Sequence, residues 1–493
     1  MARSYTLTGT VTLADKATDD YLLLPFEVPP GIGRLTVRYT YTHRVSAALP
    51  GGSGNVVDIG VFDPRGARVF QGQGFRGWSG SDRSEFTIGL ADTTPGYLPG
   101  PIHPGTWHII LGLYHIVPKG CHYRVEINLS ADAGQPDRPA PSPSVPRPAR
   151  RGLRWWRGDL QSHTHHSDGT GSVADLAAAA RARGLDFVAV TDHNTVSHWA
   201  HLAAAGGDDL LLIPGQEITT YYGHANVWGA RDWQEFRCRD NATMARIMDA
   251  VHAGGGLFSV NHPKDNGPAW EYSPDLPFDC VEAWQGVWAA NNYQSLDFWG
   301  SLLQQGRRVV AVGGSDKHVE PFDRAQDKPF TGETSLYDLG TPTTWVYAGE
   351  LSAAGILGGI RAGHVFISAD PQGPELYLAA DPDGDGLYEG MMGDEATYVA
   401  SLLPGRPMML RAQVVGGSGL VLRIVSGEGV KRVPVESDDF AHRWQARPKS
   451  DTFYRLELVE PAGGKVGHNP AALVRRALSN PIYVTIAAPG GDG

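Results

Sequence analysis

The chain of 493 residues is too long for one hydrophobic core, and its length favours about three units of about 100–200 residues each. Hydrophobic residues make up 41% and charged residues 19%, and no apolar run reaches the roughly 20 residues of a membrane-spanning helix. The formal net charge of −11 disfavours a broad nucleic-acid surface, which needs clustered Lys and Arg. We therefore expect a small-molecule substrate as partner, with no nucleic acid and no membrane; the oligomeric state stays open.

The amino terminus and the cysteines indicate a compartment. The segment MARSYTLTGTVTLADK contains one Arg and no apolar stretch, so it does not resemble a signal peptide. Cys121, Cys238 and Cys280 are widely spaced and odd in number, which is not the pattern of a disulfide scaffold. The resulting expectation is a cytoplasmic protein.

The first 130 residues alternate apolar and polar positions in short runs such as RLTVRYTYT and HYRVEINLS, and Gly, Pro and Asp separate these runs. This texture predicts an N-terminal antiparallel β-sandwich over 1–130. The next segment, 131–150, is rich in Pro, Ala, Ser and Arg and has no hydrophobic period. It predicts an extended linker.

Between 151 and 370 the pattern changes to alternating strands and helices. VADLAAAARARGL predicts a helix that ends at Gly184, and the apolar strand DFVAVTD follows it. Further strands, such as LFSVNHP and RRVVAVGGSD, alternate with helices such as MARIMDAVHAGG. Such repeats indicate parallel strands with crossover helices, in an open sheet or a closed barrel. Folds of this kind place their chemistry at the carboxyl ends of the strands.

Residues 371–493 return to short β runs such as MMLRAQVV and FYRLELVE, which predict a C-terminal β-sandwich. Within this region, Asp381, Asp383 and Asp385 in DPDGDGLYEG resemble a calcium-binding loop, but no Glu stands at the twelfth position. An Asp-rich turn explains the segment at least equally well.

Histidines and carboxylates gather at the predicted strand ends of 151–370. Imidazole together with carboxylate suits Zn, Mn or Fe, and a bridging carboxylate suits a cluster of such ions. Carboxylates packed together without a cation would repel one another. The sequence therefore predicts a metal centre formed by His163, Asp168, His193, Glu217, His224, His262, Asp316 and His318.

These motifs resemble those of the polymerase and histidinol phosphatase (PHP) superfamily. DLQSHTHHSDG is similar to its first motif, and TDHN, PGQE, NHP and GGSDKH follow in the order of the superfamily. Longer stretches, among them YGHANVWG and LLQQGRRVVAVGGSDKH, look like the carbaryl-hydrolase branch (CehA/McbA type). The resemblance covers 150–370 strongly, the C-terminal β region weakly and the first 130 residues not at all.

The resemblance implies an α/β fold, a distorted (β/α)7 PHP barrel with two or three divalent metal ions. The implied ligand sets are His163, Glu217 and Asp316 for one ion, Glu217, His224 and His262 for a second, and Asp168, His193 and His318 for a third. Gln161 stands where the first motif of the superfamily has its leading His. Since an amide oxygen is a weaker ligand for these metals, the first site is expected to be weak, differently metallated or empty.

Other histidines near the motifs have more ordinary explanations. The pair His163 and His165 offers an alternative register, but the Ser-Asp-Gly of 167–169 anchors the first one. His165 and His166 are weaker candidates for contact with metal or substrate. Three more histidines lie on predicted helices and are expected to be ordinary: His198, His201 and His252.

The predicted metal centre suggests hydrolysis by metal-activated water, since a bound ion lowers the pKa of water from about 15.7 towards about 7. The candidates for catalytic proton transfer are Asp316, His318 and His193. The sequence has no GxSxG elbow and no P-loop GK[ST] that would indicate other chemistry.

A phosphomonoester or phosphodiester is the first expected substrate, and a carboxylic ester or carbamate is what the narrower branch suggests. Four tryptophans suggest either an apolar wall for the substrate or ordinary core packing: Trp270, Trp284, Trp288 and Trp299. The alternative from a different class is a metal-stabilised binding scaffold without catalysis, which the Gln at position 161 would allow.

Overall fold

The structure is a computed structural model that describes residues 3–45, 54–90, 92–132, 150–265, 268–318, 338–398, 406–461 and 473–487. Most of the predicted linker over 131–150 lies outside these residues. Among the described helices, none is both long and apolar enough to cross a lipid bilayer.

The amino-terminal region folds into two antiparallel four-stranded sheets. Its elements are β1 (Arg3–Val11), α1 (Leu13–Thr18), β2 (Tyr21–Val28), β3 (Arg34–Tyr41), β4 (Val56–Phe62), β5 (Phe75–Gly80), β6 (Glu85–Ile88), β7 (Gly105–His115) and β8 (Cys121–Ser130). The strand orders are β1-β8-β3-β6 and β2-β7-β4-β5. Alternate residues of β3, such as Leu35 and Val37, are fully buried and pack with Trp107 of β7 in a core that both sheets share. The alternation in the sequence therefore corresponds to one buried face per sheet.

The central region contains seven strands that lie side by side in chain order, followed by a hairpin. The elements are β9 (Arg151–Asp159), α2 (Val173–Arg183), β10 (Phe187–Val190), α3 (Trp199–Ala205), β11 (Leu211–Thr220), β12 (Gly223–Trp228), α4 (Asn241–Ala253), β13 (Leu257–Val260), β14 (Cys280–Gln285), α5 (Asn292–Gln304), β15 (Val310–Gly314), β16 (Thr343–Glu350), α6 (Ala353–Arg361) and β17 (Val365–Ser368). Helix α2 begins at a Ser172 capping box and is followed by Gly184 with φ of 70°, the conformation that the sequence predicts there.

The strands of this region are not uniformly parallel, so the predicted (β/α)7 barrel is not confirmed. The ladders β9–β10, β10–β11, β13–β14 and β14–β15 are parallel, whereas β11–β12 and β12–β13 are antiparallel. Tyr221 and Tyr222 alone connect β11 to β12, and Gly223 follows them with φ of 137°. A connection this short makes a hairpin and leaves no room for a crossover helix. The chain is a mixed α/β protein that is rich in β-structure.

The first and last of the seven strands meet beyond their carboxyl ends. The backbone N–H of Asp316 donates to the carbonyl of Gln161 over 3.0 Å, and that of His163 donates to the carbonyl of Lys317 over 2.9 Å. These bonds form a short parallel bridge between the segments that follow β9 and β15. Side chains from opposite ends of the strand series are thereby brought to one place.

The carboxyl-terminal region continues the central sheet across the predicted boundary at 370. Its strands are β18 (Glu375–Asp381), β19 (Gly390–Met391), β20 (Glu395–Tyr398), β21 (Met408–Val415), β22 (Val421–Ser426), β23 (Gly429–Pro434), β24 (Asp439–Ala446), β25 (Thr452–Val459), β26 (Arg475–Ser479) and β27 (Ile482–Ile486). Strand β26 pairs with β17, and a separate sheet of order β19-β18-β21-β24 packs on the other strands. Asn480 joins the regions further, because its side chain bonds to the backbone of Ala311 and Val365.

Candidate metal centre

The predicted ligands follow strands that end at the same edge of the central sheet. Three residues there have left-handed backbone conformations although they are not glycine: Asn194 with φ of 55°, His262 with 26° and Asp316 with 55°. Such conformations cost free energy and tend to occur at functional sites. The backbone at this edge of the sheet therefore adopts unusual conformations that orient particular side chains.

The first group of ligands lies around His163, which is buried. Its Nε2 atom is 2.9 Å from Oδ1 of Asp316 and 3.2 Å from Oε2 of Glu217. The three side chains come from the segments after β9 and β15 and from β11 itself. The structure thus brings together the set that the resemblance assigns to one ion.

The second group surrounds the other oxygen of the same glutamate. Oε1 of Glu217 is 3.0 Å from Nδ1 of His224 and 3.7 Å from Nε2 of His262. Glu217 is fully buried, so its two oxygens face two different sets of imidazoles in a place without bulk solvent. Glu217 could therefore be shared between two ligand groups.

The third group lies towards the surface. Oδ1 of Asp168 is 3.5 Å from Nε2 of His193 and 3.4 Å from Nε2 of His318. His163 also belongs to this group, and its ring stacks on the rings of His193 and His318 at 4.3 and 4.1 Å between centroids. The three groups therefore adjoin one another through His163 and Glu217.

Gln161 lies at the first group. Its Nε2 donates to Oδ1 of Asp316 over 3.1 Å and to Oε2 of Glu217 over 3.3 Å. Its Oε1 is buried and has no hydrogen-bond partner among the described residues. The side-chain amide of Gln161 thus contacts both carboxylates of the first ligand group.

The charges of the centre are strongly coupled. Burial alone would lower the pKa of His163, but the hydrogen bonds that its ring donates to Asp316 and Glu217 raise that pKa well above the ordinary value. Burial also works against the ionised form of Glu217, yet the surrounding histidines hold the pKa of Glu217 well below its usual range. Burial lowers the pKa of His193 to about 4, so its imidazole is neutral at pH 7. At neutral pH the ligand set is therefore rich in carboxylate charge.

Several buried polar residues around the centre were not singled out by sequence analysis. Gln285, at the end of β14, donates through Nε2 to Oδ2 of Asp316 over 2.8 Å, and Asn261 donates to Oε1 of Glu217 over 3.1 Å. Glu282 accepts from the backbone N–H of His262 over 2.9 Å. Gln285 ends a predicted strand that also contains Glu282, and this position at a strand end was the available signal. Asn261 directly precedes the histidine of the NHP motif.

Lys264 is buried close to Glu282 and Asp316. Its Nζ donates to Oδ1 of Asn292 over 3.1 Å. Burial lowers the pKa of Lys264 to about 8, although the charges of Glu282 and Asp316 work in the opposite direction. Burial raises the pKa of Glu282 well above its usual value, and the negative charge of Asp316 adds to this. Lys264 and Glu282 are thus two buried ionisable groups close to Asp316 of the first ligand group.

A second network holds the loop between His163 and Asp168. Asp192 is fully buried and accepts hydrogen bonds from the backbone and hydroxyl of Thr164, both over 2.8 Å, and from the hydroxyl of Ser167 over 2.7 Å. Asp192 directly precedes His193, so one carboxylate connects the loops of two ligands. Outer contacts of this kind fix the orientation of metal ligands.

The remaining candidates lie apart from the three groups. His166 bonds through Nδ1 to the hydroxyl of Ser197, and His252 bonds to Asp279. The three aspartates of the segment that resembles a calcium loop do lie together, and Asp381 accepts backbone hydrogen bonds from its own turn, as in an Asp-rich turn. The four tryptophans singled out in the sequence pack in the main core: Trp270, Trp284, Trp288 and Trp299.

A cavity of about 690 Å³ opens over the third group. His193, Asp168 and His224 line it from the central region, together with Tyr221. The opposite wall comes from the amino-terminal sandwich: Arg44, Asp58, Trp78, Asp82 and Tyr114. Such a volume suits an organic molecule of moderate size.

The residues present fit divalent metal ions. Five imidazoles and three carboxylates converge, and each group has ligand atoms within 4.8 Å of one another. Nδ1 of His163 and Nδ1 of His262 are buried and lack a hydrogen-bond partner among the described residues. Buried carboxylates and unpaired imidazole nitrogens are costly in a protein interior unless a cation or proton satisfies them.

Comparisons with known proteins bear on the central region. The PHP domain family matches residues 159–272, which confirms the resemblance to that extent, while the narrower carbaryl-hydrolase branch stays a prediction. Asp316 and His318 lie beyond the matched residues. No curated protein sequence matches the chain.

Solved structures give distant likenesses. A two-domain protein from Bacteroides vulgatus, described as containing a predicted PHP-like metal-dependent phosphoesterase, is 15% identical with a TM-score of 0.37, over 68% of this chain and 100% of that one. An amidohydrolase from Chromobacterium violaceum is 16% identical with a TM-score of 0.26, over 34% of this chain and 88% of that one. Likenesses of this size carry no argument about activity.

Proposed function

We propose that the protein is a metal-dependent hydrolase that cleaves ester bonds with metal-activated water. The observation that carries this proposal is the convergence of three adjoining ligand groups on Glu217 and His163 beneath a cavity. The ligand sets would be those implied by the resemblance, and Zn, Mn or Fe would suit their nitrogen and oxygen atoms. Bound ions would supply hydroxide at neutral pH and stabilise developing negative charge.

The side chains of the protein would then orient the ligands and move protons. His193 lines the cavity and is neutral at pH 7, so its imidazole is available as a ligand or as a proton acceptor. Asp316 is fixed from two sides, by Gln285 at Oδ2 and His163 at Oδ1. Nδ1–H of His318 donates to the backbone carbonyl of Asp316 over 2.8 Å, so Nε2 is the nitrogen that faces Asp168. We assign catalytic proton transfer to these three residues: Asp316, His318 and His193.

Gln161 limits the number of ions that we propose. Its amide already occupies hydrogen-bonding positions on Asp316 and Glu217. Two ions bound at the second and third groups, with weaker or no binding at the first, agree best with this arrangement.

A phosphomonoester or phosphodiester is the first proposed substrate class, because a cluster of cations suits phosphoryl oxygens. A carboxylic ester or carbamate is the second, and the charge of the cavity favours it. Among the described residues on the sandwich side of the cavity, two carboxyl groups (Asp58, Asp82) accompany one guanidinium, that of Arg44. A substrate that carries an additional negative charge would be repelled at this wall.

One substrate panel tests both classes. The purified protein would be stripped of metal, reloaded with Mn or Zn, and assayed with p-nitrophenyl phosphate, bis-p-nitrophenyl phosphate and p-nitrophenyl acetate. We expect chelator-sensitive turnover that falls at least 100-fold in His224→Ala, with His252→Ala as a matched control that keeps activity. Bound metal without turnover of any of the three compounds would instead support a binding scaffold.

A further inference from the structure

We infer that the amino-terminal sandwich completes the catalytic site, because its Arg83 positions the loop that carries Asp168. The inference rests on the proposed metal centre and names a residue outside the part of the chain that the PHP resemblance covers. Arg83 lies between β5 and β6, on the side of the sandwich that faces the cavity. It is a positioning residue, since it acts on a ligand loop and not on the ligand atoms.

The guanidinium of Arg83 binds the backbone immediately before Asp168. Its Nη2 donates to the carbonyl of His165 and, over 3.3 Å, to the carbonyl of Ser167. The side chain of Arg83 is 23% exposed, so these charge-assisted bonds form in a partly dry interface. Asp192 holds the same loop from the opposite side through Thr164 and Ser167. The loop is thus fixed between one carboxylate of the central region and one guanidinium of the sandwich.

The sandwich also contacts the segment after His193, the second ligand of the third group. The backbone N–H of Gly96 donates to the hydroxyl of Ser197 over 3.1 Å. The carbonyl of Gly96 accepts from the hydroxyl of Thr195 over 2.8 Å. Two of the segments that carry ligands of the third group are therefore tied to the same face of the sandwich.

The fit of this interface requires glycine at Gly96, and two other glycines of the sandwich lie against side chains of the central region. A Cβ atom on Gly96 would lie 2.9 Å from the carbonyl oxygen of His166, and φ of Gly96 is +96°. A Cβ atom on Gly112 would lie 2.2 Å from the Tyr221 hydroxyl, and one on Gly72 would lie 2.6 Å from the Trp233 ring. Close approach at such points needs the absence of a side chain. These close contacts fix how the sandwich packs against the central region.

The experiment compares Arg83→Gln with Arg38→Gln in the full chain. Arg38 lies on the same sandwich, is 64% exposed and pairs with Glu85, so its loss should change little. Bound metal would be titrated by mass spectrometry and chelator competition, and hydrogen exchange would be followed in the peptide around residues 163–170. For Arg83→Gln we expect affinity for one ion to fall about 10- to 100-fold, as for other outer contacts of metal ligands. Amide exchange in that peptide should also accelerate at least tenfold, while Arg38→Gln should match the original protein.

The outcomes separate this inference from the proposed function. Unchanged metal affinity and unchanged exchange in Arg83→Gln would overturn the role of Arg83, while turnover by the original protein would leave the proposed function intact. If the original protein binds no metal and hydrolyses nothing, the proposed function fails. The exchange measurement on the metal-free protein then still decides whether Arg83 holds the loop. Arg83→Lys, which keeps the charge without the fork of donors, should restore exchange protection in part.

Discussion

The two β regions that flank the central sheet are attached to it in different ways. The carboxyl-terminal region continues the sheet through the β17–β26 ladder and adds the side-chain bonds of Asn480. The amino-terminal sandwich keeps its own two sheets. It meets the central region through a shared hydrophobic core, to which Phe62, Phe75 and Trp78 contribute, and through loops and side chains near the candidate metal centre. No residue of the carboxyl-terminal region lines the cavity over the third ligand group among those described.

The two flanking regions thus have similar β architecture but make different contacts with the central sheet, and we expect their roles to differ accordingly. A shared backbone ladder couples the folding of the carboxyl-terminal region to that of the central sheet. Contacts to ligand loops couple the sandwich to the geometry of the site. Changes in the first region should therefore alter stability alone. Changes in the second should alter stability and, where they touch the ligand loops, the site as well.

The largest effect should come from removing a buried charge in the carboxyl-terminal region. Glu457 is fully buried between Arg423, Arg455 and Arg475, and these arginines hold the pKa of Glu457 at about 2 against the effect of burial. Glu457→Ala would leave several guanidinium groups without their shared partner. We expect a loss of about 3–5 kcal/mol in the free energy of unfolding, measured by urea denaturation.

The turnover of the Glu457→Ala protein that remains folded should equal that of the original. The control is Glu460→Ala, whose side chain is 40% exposed in its pair with Arg476 and should cost less than about 1 kcal/mol. A fall in turnover per folded molecule would break the proposed division between the two regions.

An intermediate effect, dependent on pH, should come from Asp58 on the sandwich side of the cavity. Burial raises the pKa of Asp58 to about 6, although bonding from Tyr221 and the charge of Lys16 oppose this. The folded state thus holds the proton more tightly than the unfolded chain, whose Asp has a pKa of about 3.9. Stability conferred by this group is therefore full below about pH 4 and is lost as pH rises through 6.

Asp58→Asn removes that dependence. From pH 4.5 to 7.5, the free energy of unfolding of Asp58→Asn should gain about 2 kcal/mol relative to the original protein, because the difference changes by about 1.4 kcal/mol per pH unit only up to about pH 6. Urea denaturation across this range provides the measurement. Parallel profiles for the two proteins would show that the Asp58 carboxyl is not perturbed.

The smallest effect should appear at Tyr114, at the outer cavity wall. Its side chain is 43% exposed and its ring lies edge-on to that of Tyr221, with 5.2 Å between centroids. In Tyr114→Ala we expect KM for 1-naphthyl acetate to rise about fivefold, which is about 1 kcal/mol, with little change in kcat. KM for ethyl acetate should stay constant, and Leu90→Ala, at an exposed sandwich position, serves as the control. Equal changes for both esters would exclude a role of the wall in selecting substrates.

Sequence patterns were sufficient to indicate which side chains would meet at the centre. Strands that run in the same direction bring their ends to one edge, and the spacing of the motifs placed His163, Glu217 and Asp316 at such ends. The three-way grouping of the ligands came from the resemblance. The structure places the same residues together, while their binding of metal stays a prediction.

The rest depended on contacts that no local pattern encodes. The hairpin of β11 and β12 reversed the direction of one strand, so the ladder is mixed where uniform parallel strands were expected. The pairing of Tyr221 with Asp58 joins residues that are 163 positions apart in the chain. Arg83 lies in a loop without periodicity. Its bonds to the carbonyls of His165 and Ser167 depend on how the sandwich packs against the central region. Packing between regions decides these features, and packing is not periodic in the sequence.

The close contact between Gly112 and the Tyr221 hydroxyl has a consequence for biosynthesis. The sandwich precedes Tyr221 in the chain, so the ribosome makes all eight of its strands before the tyrosine that contacts Gly112. During that interval the phenol that donates to the Asp58 carboxyl has not yet been made. The contacts of the sandwich with Tyr221 can therefore form only when translation has passed the β11–β12 turn.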